Sequence, residues 1–219
     1  FNKFLELKHF YIFNGNINKN EKYIAIIRDP REIIVSGYLY HKNNNKCKEH
    51  WCVLSNVNYF DFWLKGNIDQ TQFKKNIKFY NRAKKFSDKI TYQKKLNYLS
   101  VNQGIIHEMN NVAYITLKGF LNFSYFKNKN VMVVKHEDLI YNSDDTLYKI
   151  CNFLNIDEFK KKNIIKRMRE HSLLKNIKKL PTHVTNLDLS RDRYKKYWNK
   201  KINKEFNKLF PRILKKLNY

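Results

Sequence analysis

The chain has 219 residues, which is enough for one domain with a sizeable core and too few to expect two. Its 44 lysines and arginines outnumber 19 aspartates and glutamates, giving a formal net charge of +25. This charge favours an anionic partner such as a nucleotide or a phosphorylated or sulfated ligand. Many of the lysines are also explained as solvated helix surface, so we expect no nucleic-acid partner.

Two continuous apolar runs predict strands buried on both faces of a parallel sheet. They are residues 23–27 (YIAII) and residues 131–134 (VMVV). After the first run, Asp29 is a predicted helix cap, Pro30 suits the first helical position, and Glu32 completes a capping box. Strands and helices in this order predict an α/β fold.

Helical periodicity dominates the rest of the chain. One amphipathic helix is predicted around residues 73–83, and residues 92–109 are predicted as further helix. Ser143 is a predicted cap for a helix that follows the second strand. At the end of the chain, residues 202–217 place apolar side chains on one face, with a kink expected at Pro211.

Arg28 follows the first predicted strand and precedes a helix N-terminus, where α/β sheets bind ligands. Its guanidinium could make a forked pair of hydrogen bonds to phosphate. Ser36 lies about two helical turns further and could donate its hydroxyl, while Gly37 would let a ligand or strand come close. An equally weighted alternative is that Arg28 pairs with Asp29 or Glu32 and that Ser36 is a small packing residue.

Several segments resemble the sulfotransferases that use 3′-phosphoadenosine 5′-phosphosulfate (PAPS). YIAIIRDPREIIVSGYLYH (residues 23–41) resembles their 3′-phosphate-binding strand and helix. NVMVVKHEDLIYNSDDTLYKICNFLNI (residues 130–156) resembles their second strand, Glu-Asp-Leu segment and next helix. Residues 59–68 and 96–109 are similar to the intervening helices, and the closing ILKKLNY to their Leu-Gly-Tyr ending. The likeness covers most of the chain in the family's order.

The resemblance implies a P-loop-NTPase-like three-layer sandwich, with a central parallel sheet flanked by helices, as a single domain over residues 1–219. It also implies transfer of a sulfuryl group from PAPS to a hydroxyl or amine acceptor, leaving 3′-phosphoadenosine 5′-phosphate (PAP). By position, Arg28 and Ser36 would hold the 3′-phosphate, and Ser172 would contact the adenine. The acceptor and the oligomeric state stay open.

Three departures from the family pattern affect the expected site. The glycine-rich phosphosulfate loop and its strand have no counterpart here, so we expect them upstream of Phe1 and expect no turnover by these residues alone. The family's Lys-x-His segment is replaced by adjacent Lys8 and His9, which makes His9 the candidate base. The C-terminal Arg-x-Gly motif lacks its glycine, so Arg191 or Arg193 would take over its contact with the 3′-phosphate.

Two other function classes stay open from the sequence. One is another nucleotide-dependent transferase such as a P-loop kinase, which would need a Walker A loop in upstream sequence. The other is a non-catalytic basic binding protein that uses exposed aromatic rings as stacking platforms. Most aromatic residues fall at predicted core positions, which counts against the second class.

The cysteines and the apolar runs bear on location. Cys47, Cys52 and Cys151 are too few and too unevenly spaced for a disulfide framework, which favours a reducing compartment with the cytoplasm as default. His41 and His50 lie near two of these cysteines, but the spacing matches no standard zinc finger, so no metal is predicted. No apolar run reaches the ~18 residues of a membrane span, and no signal peptide is visible.

Overall fold

The computed structural model describes residues 18–53, 90–170 and 192–219. The predicted helix at residues 73–83 lies outside these described residues. Within them, two strands lie among helices. In chain order the elements are β1 (Tyr23–Ile27), α1 (Pro30–Lys42), α2 (His50–Val53), α3 (Tyr92–Tyr98), α4 (Val101–Asn110), α5 (Val112–Asn122), β2 (Val131–Lys135), α6 (His136–Tyr141), α7 (Ser143–Phe153), α8 (Glu158–Glu170), α9 (Lys200–Leu209) and α10 (Ile213–Leu217). Short 3₁₀ helices occupy Tyr125–Lys127 and Arg193–Lys196.

The two strands pair in parallel, with Tyr23 opposite Val131 and Ile27 opposite Lys135. The prediction of two parallel strands is therefore confirmed, and β2 is one residue longer than its apolar run. Within the described ranges the sheet has these two strands. An α/β arrangement thus holds, while the three-layer sandwich stays a prediction. Both strands end at the same edge of the sheet, where Arg28 and His136 follow them.

Helix α1 is the centre of the core. It packs against α3, α4 and α5, while α9 packs on α4 and α10 packs on α5. The fully buried side chains of this core are mostly aliphatic and aromatic, and they include Ile34, Tyr38, Ile105, Met109, Leu117, Phe206 and Phe210. Burial on this scale fixes the position of α1 among these helices, and hence the residues at its N-terminus.

Helices α1 and α4 approach closely because two glycines face side chains across the contact. A Cβ on Gly104 would lie 2.4 Å from the ring of Tyr38, and a Cβ on Gly37 would lie 2.6 Å from Oε1 of Glu108. Both distances are shorter than real Cβ contacts allow. The expectation that Gly37 admits a ligand or strand is therefore wrong, because the space beside it holds a side chain of α4.

Three predicted helix boundaries need correction. The predicted 92–109 helix is interrupted after Tyr98, since Ser100 caps α4 in a capping box with Gln103. The cap of α7 is Asn142 rather than Ser143, which is the first helical residue. The expected kink at Pro211 is a break between α9 and α10, at which Arg212 adopts a left-handed φ of 63°.

None of the helices in the described ranges combines enough length and apolar character to cross a membrane.

Candidate functional site

Arg28 lies at the carboxyl end of β1, immediately before the capped N-terminus of α1. Its side chain is 31% exposed, and its Nη2 lies 3.6 Å from Oε2 of Glu32. Burial lowers the pKa of Arg28, and the nearby Glu32 carboxylate opposes that effect. The guanidinium remains charged because arginine does not lose its proton in proteins. Pairing with Glu32 was one of the alternatives open from the sequence.

Glu32 joins two arginines from distant parts of the chain. Its Oε2 lies 3.6 Å from Nη2 of Arg28 and 3.5 Å from Nη2 of Arg193. Its Oε1 accepts the N–H of Tyr194 at 2.6 Å. We refer to Arg28, Glu32 and Arg193 as the Glu32 trio. Two guanidiniums and one carboxylate leave this trio with a net positive charge.

Glu32 is available to the arginines because it does not form the predicted capping box. Asp29 caps α1 as predicted and accepts the N–H of Arg31 at 2.8 Å. However, the N–H of Asp29 donates to Oε1 of Glu137 at 3.1 Å, so it does not bind Glu32. The capping-box prediction for Glu32 is therefore wrong. Burial raises the pKa of Glu32, against the opposing effects of Tyr194 and the arginines.

The end of β2 supplies a second set of polar groups beside Arg28. Glu137 accepts the hydroxyl of Tyr219 at 2.7 Å through Oε2. Burial raises the pKa of Glu137, but hydrogen bonds from Tyr219 and Asp29 outweigh burial and hold the pKa below its usual range. Burial lowers the pKa of His136, and the charge of Arg28 lowers it further. His136 therefore favours the neutral imidazole.

Ser36 lies on the same face of α1 as Glu32, one helical turn further from the strand end. Its side chain is partly exposed, and its hydroxyl makes no hydrogen bond to any described residue. The hydroxyl is therefore free to donate to a ligand that lies along this face. Together, the Glu32 trio and Ser36 offer guanidinium and hydroxyl donors near one helix N-terminus. Such donors suit a phosphate group.

A family model described as a sulfotransferase domain matches residues 7–217 of this chain. The chain belongs to the sulfotransferase family. A search of curated proteins and a search of solved structures found no match. The family inferred from the segments around Arg28 and β2 is thereby confirmed.

The predicted site residues of this sulfotransferase fall into two groups. Arg28, Ser36 and Arg193 are described, and the structure brings Arg193 against the partner of Arg28. Arg193 is buried, and its Nε has no partner among the described residues. The other predicted residues, His9, Ser172 and Arg191, lie outside the described residues.

Sequence reasoning missed Glu137 and Tyr219, which also face this site. Both lie in segments that resembled the family, namely the Glu-Asp-Leu segment and the chain ending. Their place in these segments was the one available indication of a role, because nothing in either segment shows that the two side chains meet. Lys135 lies beside these two residues, and its Nζ is 4.3 Å from the centroid of the Tyr219 ring.

The sulfotransferase holds a second buried polar cluster at the far end of α1. Nδ1 of His41 lies 3.0 Å from Oε2 of Glu108, which also accepts the hydroxyl of Tyr92 at 2.8 Å. Cys47 and Cys52 are free thiols nearby, the Cys52 thiol donates to the backbone oxygen of His41 at 3.6 Å, and the neighbouring Cys52 lowers the pKa of Cys47 to about 7. Over the described part of the chain, no three histidine, cysteine or acidic residues are grouped to hold a metal.

Proposed function

We propose that this sulfotransferase moves a sulfuryl group from PAPS to a hydroxyl or amine acceptor. The observation that carries the proposal is the convergence of Arg28 and Arg193 on Glu32 beside the N-terminus of α1. Membership of the family supports the reaction class. A net positive group at the edge of a parallel sheet also supports a phosphorylated nucleotide as the ligand.

The residues of the site fit the 3′-phosphate of such a nucleotide. A phosphate monoester carries nearly two negative charges at neutral pH and offers three acceptor oxygens. Arg28 is partly exposed, and Ser36 has a free hydroxyl among the described residues. Arg193 has a buried Nε without a described partner. We assign the 3′-phosphate to Arg28 and Ser36, with Arg193 as a further contact.

Bound PAPS would supply the sulfuryl group, and PAP would be the product. Arg28 binds and orients the nucleotide, which is how a distant phosphate contact contributes to a transfer reaction. His9 is the proposed base, since an imidazole that titrates near neutral pH can accept the proton of a hydroxyl or amine. Ser172 is the proposed adenine contact, and Arg191 is the alternative to Arg193.

The test is a titration of the full-length protein with PAP, the product nucleotide. Arg28→Ala should weaken binding by several kcal/mol, since a charged hydrogen-bond partner is lost. Ser36→Ala should weaken binding by about 1 kcal/mol, the usual contribution of one hydrogen bond. Matched controls are Arg169→Ala, which removes an exposed partner of Asp144, and Ser143→Ala at the start of α7.

Both controls should leave the affinity for PAP unchanged. An Arg28→Ala variant that binds PAP as tightly as the wild type would contradict the proposed nucleotide site. If the wild-type protein does not bind PAP, its likeness to PAPS-dependent sulfotransferases concerns the fold alone. Nucleic-acid binding with a steep salt dependence would instead favour a basic binding protein.

The partners and the location remain part of the proposal. We propose a nucleotide cofactor, an acceptor of undefined class, and no nucleic-acid partner. A cytoplasmic location is supported by Cys47, Cys52 and Cys151, which are all free thiols in the structure.

A further inference from the structure

The Glu32 carboxylate is the point at which Arg28 and Arg193 meet. We propose that Glu32 is a positioning residue that holds these two arginines as a pair, so that one phosphate group can contact both guanidiniums. The inference rests on the proposed nucleotide site, and it adds to that site a residue which does not itself touch the ligand.

Glu32 is held at both oxygens and by its place in the helix. It belongs to the first turn of α1, which Asp29 caps, and its side chain is only 5% exposed. Its Oε1 accepts the N–H of Tyr194, the residue next to Arg193. Glu32 therefore fixes the backbone of the 3₁₀ helix as well as the Arg193 side chain. The guanidinium of Arg31, 4.2 Å from the centroid of the Tyr194 ring, supports the same contact.

The charges explain why the two arginines need this carboxylate. Arg193 is buried, and Glu32 is its ion-pair partner among the described residues. Without that charge, Arg193 would be an uncompensated buried cation, and the nearby Arg28 would repel it. Arg28 is 31% exposed and can turn towards water. Loss of the Glu32 charge should therefore separate the pair.

The contact distances leave the arginines able to bind a second anion. At 3.5 and 3.6 Å, the contacts to Glu32 are longer than the ~2.7–2.9 Å of tight charge-assisted hydrogen bonds. The carboxylate thus orients the guanidiniums without using all their donors, and Nε of Arg193 has no described partner. Removal of Glu32 would also remove some repulsion of phosphate. We expect the loss of orientation to outweigh that gain.

The experiment compares two nucleotides that differ in the 3′-phosphate. Affinities for PAP and for adenosine 5′-phosphate are measured with the wild type, Glu32→Gln and Glu32→Asp. Glu32→Gln keeps an acceptor for the Tyr194 N–H but removes the charge. Its preference for PAP should fall by about tenfold, the scale at which outer-shell partners act in metal sites. Its affinity for adenosine 5′-phosphate should stay unchanged.

Glu32→Asp keeps the charge on a shorter side chain and should give an intermediate preference. If Glu32 had a purely structural role, the variants would bind both nucleotides more weakly by the same factor. The ratio of the two affinities therefore distinguishes a structural role from a positioning role. Glu158→Gln, which removes an exposed partner of Lys161, is the matched control. An unchanged or increased PAP preference in Glu32→Gln would overturn the inference. If Glu32→Gln does not fold, a wild-type ratio in Glu32→Asp would overturn it.

Arg28→Ala in the same assay distinguishes failure of the inference from failure of the proposed function. If Arg28→Ala lowers the PAP preference and the Glu32 variants do not, only the positioning role of Glu32 is lost. If Arg28→Ala also leaves the preference unchanged, the nucleotide site itself is wrong.

Discussion

Tyr219, the last residue of the chain, donates a hydrogen bond of 2.7 Å to Oε2 of Glu137. The other oxygen of Glu137 accepts the N–H of Asp29 at 3.1 Å. One carboxylate at the end of β2 therefore links the chain ending to the end of β1. Because Asp29 follows Arg28 directly, this link contributes to the position of the arginine in the candidate site.

Replacement of Tyr219 by phenylalanine should destabilise the fold. The ring and its contact with Lys135 remain, while a hydrogen bond to a carboxylate is lost, which costs about 1–2 kcal/mol for a partly buried group. The free energy of unfolding in urea measures this loss. Tyr98→Phe is the control, because that side chain is 79% exposed. Equal stability of the two variants would contradict a structural role for the Tyr219 hydroxyl.

Asp29 has two separable roles at the start of α1. Its side chain accepts the N–H of Arg31 as a cap, and it also pairs with the Arg31 guanidinium at 3.0 and 2.6 Å. Asp29→Ala should cost about 1–2 kcal/mol, because it removes the cap. Asp29→Asn should cost less, since asparagine caps equally well and only the charged pair is lost. Urea unfolding of both variants gives the comparison, and equal losses would contradict the capping role.

The strands and the first helix cap could be predicted because they depend on neighbouring residues. The apolar run of β1 gave both of its ends, and Asp29 caps α1 as its sequence context indicated. The prediction of a capping box was wrong because of a residue that is distant in the sequence. Glu137, 108 residues after Asp29, takes the N–H that Glu32 would have bound. No local pattern reveals that exchange, and it leaves Glu32 to the arginines.

In the candidate site too, features set by neighbouring residues could be predicted and contacts between distant residues could not. The place of Arg28 after β1 and of Ser36 on α1 could be predicted from local sequence, while their contact with a phosphate stays a prediction. Arg193 was one of two candidates, and its contact with Glu32 depends on how residues far apart in the chain pack. Tyr219 carried no chemical signal, because its role arises only when residues 218 and 219 lie beside Lys135 and Glu137 at the end of β2. His9, Ser172 and Arg191 stay predictions.

Gly37 tests the close approach of α1 and α4. Alanine normally stabilises a helix by about 1 kcal/mol relative to glycine. At this position its Cβ would lie 2.6 Å from Oε1 of Glu108, so Gly37→Ala should instead destabilise by about 1–3 kcal/mol through overpacking. Gly104→Ala should act in the same direction, because its Cβ would lie 2.4 Å from the Tyr38 ring. Thermal unfolding gives the sign, and a stabilised Gly37→Ala would contradict the packing.

The pair of His41 and Glu108 should make stability depend on pH. Burial disfavours a charged His41, but the Glu108 carboxylate and its hydrogen bond outweigh burial, and the net effect raises the pKa of His41. A raised histidine pKa means that the folded state binds the proton more tightly than the unfolded state. The stabilisation is therefore fully present below the ordinary pKa of about 6.5 and is lost as the pH rises through the raised value.

The test measures the free energy of unfolding for the wild type and His41→Gln between about pH 5 and pH 9. The wild-type advantage should shrink as the pH rises. Because Cys47, with its pKa lowered to about 7, titrates in this range, both proteins carry Cys47→Ala. His136→Gln is the matched histidine control with the opposite sign. Burial and Arg28 lower the pKa of His136, so its contribution should fall as the pH drops below about 6.5. A wild-type advantage that grows with pH at position 41 would contradict the pairing with Glu108.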